Sequence, residues 1–142
     1  MKTSARFVVT LFLIAFAFAP SRMFAMPAPP PNMSFTLISP KAGQVLYPGQ
    51  KVKVEWETSS MNSINCTDCE MELWLSLDGG RTYIMQITPS MDPRTTFFYW
   101  IVPNTPTNSA VIDIRFGAEP FYPDDFHPQT ASPFVITGGG QY

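Results

Sequence analysis

Cys66 and Cys69 are the two cysteines of this 142-residue chain, and the spacing Cys66-Thr67-Asp68-Cys69 admits three chemistries. A redox pair needs its first thiol at a helix N-terminus in a βαβ setting that lowers the thiol pKa, and the flanking residues show no helical period. A zinc site needs about four ligands, and short of recruiting carboxylates only His127 could join the cysteines. A local disulfide needs no more than an oxidising compartment. That bond is the expected state, with the redox and metal readings as alternatives. Closing so short a loop restrains little chain entropy, so the bond would order the loop more than it stabilises the fold.

Three further segments could bind rather than react. Glu119 to Pro128, Glu-Pro-Phe-Tyr-Pro-Asp-Asp-Phe-His-Pro, gathers aromatics, carboxylates and the sole histidine between two strands, and reads as a Pro-stiffened loop. Solvated turns of this kind often do no more than close one end of a core. Loops on a rigid scaffold also carry binding function, and then Phe121, Tyr122 and Phe126 would stack on a sugar ring. Asp124 and Asp125 would accept its hydroxyls or hold Ca²⁺ through oxygen. Trp74 falls on the outer face of an alternating strand, where it would anchor a glycan or a partner protein, unless the leader or a neighbouring loop covers it. Ser76, Asp78, Gly80, Thr82 and Tyr83 fit the pattern Ser-x-Asp-x-Gly-x-Thr followed by an aromatic, which resembles the Asp-box of sialidase propellers. In those proteins the box ties down a hairpin and takes no part in catalysis. One copy cannot build a propeller, so its expected role is turn stabilisation, with the Asp78 carboxylate accepting backbone N–H bonds.

Catalytic machinery is not expected. One histidine and no Gly-flanked serine disfavour a Ser-His-Asp triad, and neither a zincin motif nor a phosphate loop occurs. Carboxylates meeting from distant loops are the one hydrolytic arrangement that spacing does not address. No cofactor and no metal site are expected. Asn32-Met33-Ser34 and Asn65-Cys66-Thr67 match the N-glycosylation acceptor, a short pattern that often arises by accident.

The elements that must position these residues are strands. Val52, Val54 and Trp56 alternate with Lys51, Lys53, Glu55 and Glu57, and Met71, Leu73, Leu75 and Leu77 alternate with Glu70, Glu72, Trp74 and Ser76. Period two is the mark of a strand with one buried face. The same reading predicts strands at Phe35 to Ser39, Val45 to Tyr47, Tyr83 to Thr88, Phe97 to Val102, Ala110 to Phe116 and Pro133 to Thr137. Asp113 and Arg115 are expected to face water. Pro48-Gly49 and Asp78-Gly79-Gly80 supply turns, and fifteen prolines disfavour helices. The fold class is therefore all-β, with about 7 to 8 antiparallel strands.

Residues 1 to 25 read as a secretory signal peptide. Lys2 and Arg6 precede an apolar run from Phe7 to Ala19, too short for the roughly 20 residues of a membrane span, and small Ala25 offers the cleavage position. Residues 26 to 33 form a Pro-rich leader, 34 to 137 the sandwich, and 138 to 142 a flexible Gly-rich tail. With Lys2, Arg6 and Arg22 removed, nine basic residues become six against eleven acidic. That balance disfavours nucleic acid and anionic lipid, and no membrane insertion is expected after cleavage.

Ser39-Pro40, Gly43, Tyr47-Pro48-Gly49, Val52-Val54-Trp56, Leu75 to Gly80, Tyr99 to Pro103, Ile112-Ile114-Arg115 and Ser132 to Ile136 together resemble the secreted Ig-like repeats of bacterial surface proteins. They are also similar to the N-terminal domain of fungal cell-wall β-glucan assembly proteins and of the Ser/Thr-rich GPI-anchored-like family. The likeness spans residues 36 to 137, mostly through core and turn positions. It implies an immunoglobulin or fibronectin III-like β-sandwich without a defined site. The expected protein is a secreted, non-enzymatic module contacting polysaccharide of the cell wall or matrix. One alternative is an assembly partner for a surface protein, pairing by strand addition at Pro133 to Thr137 or an exposed edge. The other is a small redox protein using the cysteines.

Overall fold

A computed structural model describes residues 33–59, 69–118 and 122–139. The expected signal segment, nearly all of the expected leader, Cys66, both sequon asparagines, Phe121 and the end of the expected tail lie outside the described residues.

Among the described residues nine strands follow one another: β1 (Ser34–Ser39), β2 (Val45–Leu46), β3 (Lys51–Ser59), β4 (Glu70–Ser76), β5 (Met85–Gln86), β6 (Phe97–Ile101), β7 (Thr107–Ala118), β8 (Tyr122–Pro128) and β9 (Phe134–Ile136). They form an all-β sandwich of two sheets. The smaller has the order β1-β3-β6, and the larger runs β2-β9-β7-β4-β5 with β8 also paired to β7. All pairings are antiparallel except β2 with β9, which is parallel.

Alternation in β1, β3 and β4 is what closes the core. Phe35, Leu37, Val52, Val54 and Trp56 of the smaller sheet are buried against Met71, Leu73, Leu75, Ile112, Ile114 and Phe116 of the larger. Aromatic pairs bridge the layers, Phe35 to Phe116 and Trp100 to Phe134, each with ring centroids 6.5 Å apart. Each fully buried large apolar side chain, Trp56 and Phe134 among them, contributes roughly 1.5–3 kcal/mol through the area it removes from water.

Three expectations about the strands need correction. The segment Glu119 to Pro128, read as a loop, contains strand β8, which pairs with β7 from Ala118↔Tyr122 to Asp113↔Pro128. Its prolines and aspartates look like turn residues, but an edge strand tolerates proline on its open side. The return strand expected over Tyr83 to Thr88 is reduced to two paired residues, because the loop after Leu77 runs longer than a tight hairpin. The closing strand, offered as a free edge, is held on both sides by β2 and β7.

Candidate functional site

On the outer face of the larger sheet, register brings together residues far apart in the chain. Glu72 lies opposite Arg115, and Arg115 opposite Phe126. In the next row Trp74 lies opposite Asp113, and Asp113 opposite Pro128. Directly opposed residues share a face and sit close enough to touch. Arg115 is the centre of the group. Its guanidinium carbon lies 4.3 Å from the Trp74 ring centre, 4.9 Å from that of Phe126 and 5.8 Å from that of Tyr83.

Fixed partners hold this arrangement. Arg115 Nε donates to Asp113 Oδ2 at 3.0 Å, and Trp74 Nε1 donates to Glu72 Oε2 at 2.9 Å. The aromatic faces gain from the cation set between them, and the carboxylates fix where cation and indole point. Trp74 is thus on the outer face, as alternation predicts, but half-covered by Arg115. Phe126 remains 55% exposed and is the open aromatic platform of the group.

Beside the stack lies a shallow depression of about 220 Å³ lined by Glu70, Glu72, Arg115, Gly117 and Asp124. Gly117 makes room for it. A Cβ there would stand 2.5 Å from Asp124 Oδ1, so only glycine lets that carboxylate lie against β7. Glu70 is held in turn by the hydroxyl of Ser90.

The sequence-predicted residues separate along these lines. Trp74, Asp124 and Phe126 come together on one face. Asp125 does not join them: successive strand residues point to opposite sides, and Asp125 lies opposite inward-facing Phe116. Its carboxylate is 3.2 Å from His127 Nε2, outside good hydrogen-bonding geometry. The two aspartates therefore do not converge on one sugar or one cation. His127 turns inward, its ring 4.8 Å from that of Phe35. Tyr122 belongs to β8, Phe121 is outside the described residues, and Cys69 is buried just before β4 while Cys66 is not described.

The Asp78 loop does more than turn the chain. Asp78 Oδ1 accepts from Arg81 N, Thr82 N and Ser76 Oγ at 3.0, 2.9 and 2.7 Å, and Oδ2 accepts from Thr82 Oγ1 at 2.7 Å. Ser76 Oγ accepts in turn from Gly80 N at 2.8 Å. These bonds favour the ionised carboxylate, and the hydroxyl and amide of Thr82 contribute most to holding its pKa far below the ordinary range. Gly79 and Gly80 both take positive φ, 80° and 89°, which glycine adopts without strain. The loop crosses onto β7 through Gly79 N donating to Ser109 O at 2.9 Å, and delivers Tyr83 to the Arg115 cluster.

That crossing overturns one reading of β7. Asp113, expected in water, is 1% exposed, and Val111 on the same face is equally buried. Asp113 Oδ1 and the Tyr83 hydroxyl are both buried without a hydrogen-bond partner. Burial raises the Tyr83 pKa, the Asp113 charge adds to the rise, and Arg115 opposes it.

Arg115, Glu72 and Glu70 are the site residues that sequence reasoning missed. The signal was present in the alternation of β4, which puts both glutamates on the face of Trp74. Arg115 needed the β4–β7 register, which a single chain does not display. No protein-family model and no curated protein matches the chain.

Proposed function

We propose that this chain is a secreted, non-enzymatic, immunoglobulin-like binding module of the cell surface or extracellular matrix, and that it contacts polysaccharide through the outer face of the larger sheet. The observation that carries the reading is the stack of Arg115 between Trp74 and Phe126, at the rim of a depression bearing Glu70, Glu72 and Asp124. The exposed ring of Phe126 offers an apolar platform to the C–H face of a pyranose. Carboxylates and the outer guanidinium N–H groups supply acceptors and donors for its hydroxyls. Three carboxylates around one Arg, whose Nε is already engaged, favour neutral or amino sugars over uronic acids. In this reading Cys66 and Cys69 form a disulfide that orders the loop leading into β4.

The test is retention of the exported protein on insoluble polysaccharides, comparing neutral glucan, an amino-sugar polymer and a uronic-acid polymer, with Phe126→Ala alongside the wild type. Retention on the first or second that drops about tenfold or more in Phe126→Ala supports the reading, a loss in the range of one stacked aromatic. No retention on any polymer, or retention indifferent to Phe126, sinks it.

A further inference from the structure

The sandwich ends in several strand edges among the described residues, and all but one are blunted. β2 and β5 are two residues long. β8 carries Pro123, Pro128 and two aspartates. β1 is bulged between Leu37 and Ser39, and Gln129 occupies its backbone, accepting from Leu37 N at 2.9 Å and donating to Phe35 O at 3.2 Å. Short length, charge, proline, bulges and covering groups are the devices that keep edges from pairing. β6 has none of them. From Thr95 to Val102 the chain reads Thr-Thr-Phe-Phe-Tyr-Trp-Ile-Val, without charge, proline or glycine.

Its backbone polarity is set by the pairing with β3. Trp56 N donates to Thr96 O, and Val102 N to Gln50 O, both at 3.0 Å. In an antiparallel ladder the residues bonded to a neighbour alternate with residues that turn their N–H and C=O away. Thr96, Phe98, Trp100 and Val102 therefore face β3, and Phe97, Tyr99 and Ile101 face outward. The same three side chains are exposed, at 44%, 53% and 57%. Lys53 and Lys51 lie over the Phe97 and Tyr99 rings, and the two rings meet edge to face with centroids 5.7 Å apart.

We propose that β6 is a self-association edge whose occupant is the β6 strand of a second copy, aligned antiparallel about a two-fold axis through Tyr99. In that register Tyr99 faces its own copy and Phe97 faces the second copy's Ile101. The outward backbone groups of all three residues find partners, and the two smaller sheets join into one of six strands. Charge favours this occupant over a charged strand. The paired strand itself carries no ionised side chain on either copy, and the nearest cations, Lys51 and Lys53 of β3, are already seated on the Tyr99 and Phe97 rings.

Area sets the strength. Three large side chains, each about half exposed and of roughly 150–250 Å² for the aromatics, bury on the order of 300 Å² per copy. The total falls short of the roughly 1,200 Å² of a stable interface, so the dimer is weak and reversible. This proposal is independent of the glycan site, which lies on the other sheet.

Sedimentation velocity of the exported protein from about 10 μM to 1 mM tests it, together with hydrogen exchange at the two ends of that range. The expected result is a dimer that grows with concentration, and slowing of exchange at the Phe97, Tyr99 and Ile101 amides in the concentrated sample. Tyr99→Lys sets two like charges face to face and should weaken the dimer at least tenfold, whereas Tyr47→Lys, off the seam, should leave it unchanged. If Tyr99→Lys fails to fold, Tyr99→Thr replaces it, with the same loss expected. A monomer throughout the range, a dimer unmoved by either Tyr99 variant, or protection appearing elsewhere but not at these amides overturns the proposal.

Discussion

The Arg115 guanidinium is tied through Nε to the Asp113 carboxylate at 3.0 Å, and Asp113 is almost wholly buried while Arg115 is only partly so. The pair lies along one strand, two residues apart, so its geometry follows from the pleat of β7 and not from a turn or loop. Removing the guanidinium strands a buried carboxylate. We expect Arg115→Met to destabilise the fold by about 3 kcal/mol, as when a buried pair loses one partner. Arg115→Met combined with Asp113→Asn should recover a large part of that loss, because the second change removes the orphaned charge. Urea denaturation of the two single variants and the double variant measures the coupling; strict additivity would show that the pair is not a unit.

Acid should loosen the Asp78 loop. Its carboxylate is held far below the ordinary range by the hydroxyl and amide of Thr82, the hydroxyl of Ser76 and the amide of Arg81. A folded-state pKa below the unfolded value contributes stability that is fully present above about pH 4 and drains away as pH falls toward the folded value. The melting temperature should therefore decline between about pH 4 and pH 2. Asp78→Asn should melt lower than the wild type at pH 7 yet show a shallower acid decline, and parallel melting profiles for the two proteins would refute the assignment.

How far the fold was readable depended on where each residue's environment comes from. β3 and β4 were legible because their burial is decided locally: Val52, Val54 and Trp56, or Met71, Leu73 and Leu75, each fall on one side of a pleat. The Ser76–Asp78–Thr82 loop was legible for the same reason, since every partner lies within six residues. Asp113 was not, because the loop bearing Tyr83 that covers it comes from some thirty residues earlier. β8 was hidden by Pro123, Pro128 and two aspartates, residues that signal a turn when read alone and an edge strand once β7 stands beside them. Trp74 was read correctly as outward, but not the cation that half-covers it, because Arg115 belongs to another strand. The site's face was thus implicit in period two, and its membership was not.

Gly79 and Gly80 should respond differently to the same change. Both sit at positive φ, so Gly79→Ala and Gly80→Ala each incur the backbone cost of a left-handed residue, about 1 kcal/mol. A Cβ at Gly79 would meet nothing closer than Ser109 Cβ at 4.0 Å, whereas one at Gly80 would stand 3.0 Å from the Tyr83 hydroxyl and 3.2 Å from Thr130 Cγ2. Gly80→Ala should therefore cost measurably more in thermal or urea unfolding, and should shift the Tyr83 ring resonances. Equal costs would mean that the loop relaxes freely over β7.

Tyr83 separates the ring's contribution from that of its hydroxyl. The hydroxyl is buried without a partner near the Asp113 charge, and an unmet buried donor costs on the order of 1–3 kcal/mol. Tyr83→Phe keeps the ring beside Arg115 and removes that unmet group, so it should leave stability unchanged or raise it by about 1 kcal/mol, while Tyr83→Ala should lower it through lost packing. The alkaline limb carries the same information. Burial raises the phenol's folded pKa above its unfolded value, so its contribution is intact below about pH 10 and is lost as pH rises beyond that. Tyr83→Phe should flatten the alkaline decline in melting temperature relative to the wild type. A clear loss of stability in Tyr83→Phe at neutral pH would instead mean that the hydroxyl has a partner, such as a bound water bridging it to Asp113 Oδ1.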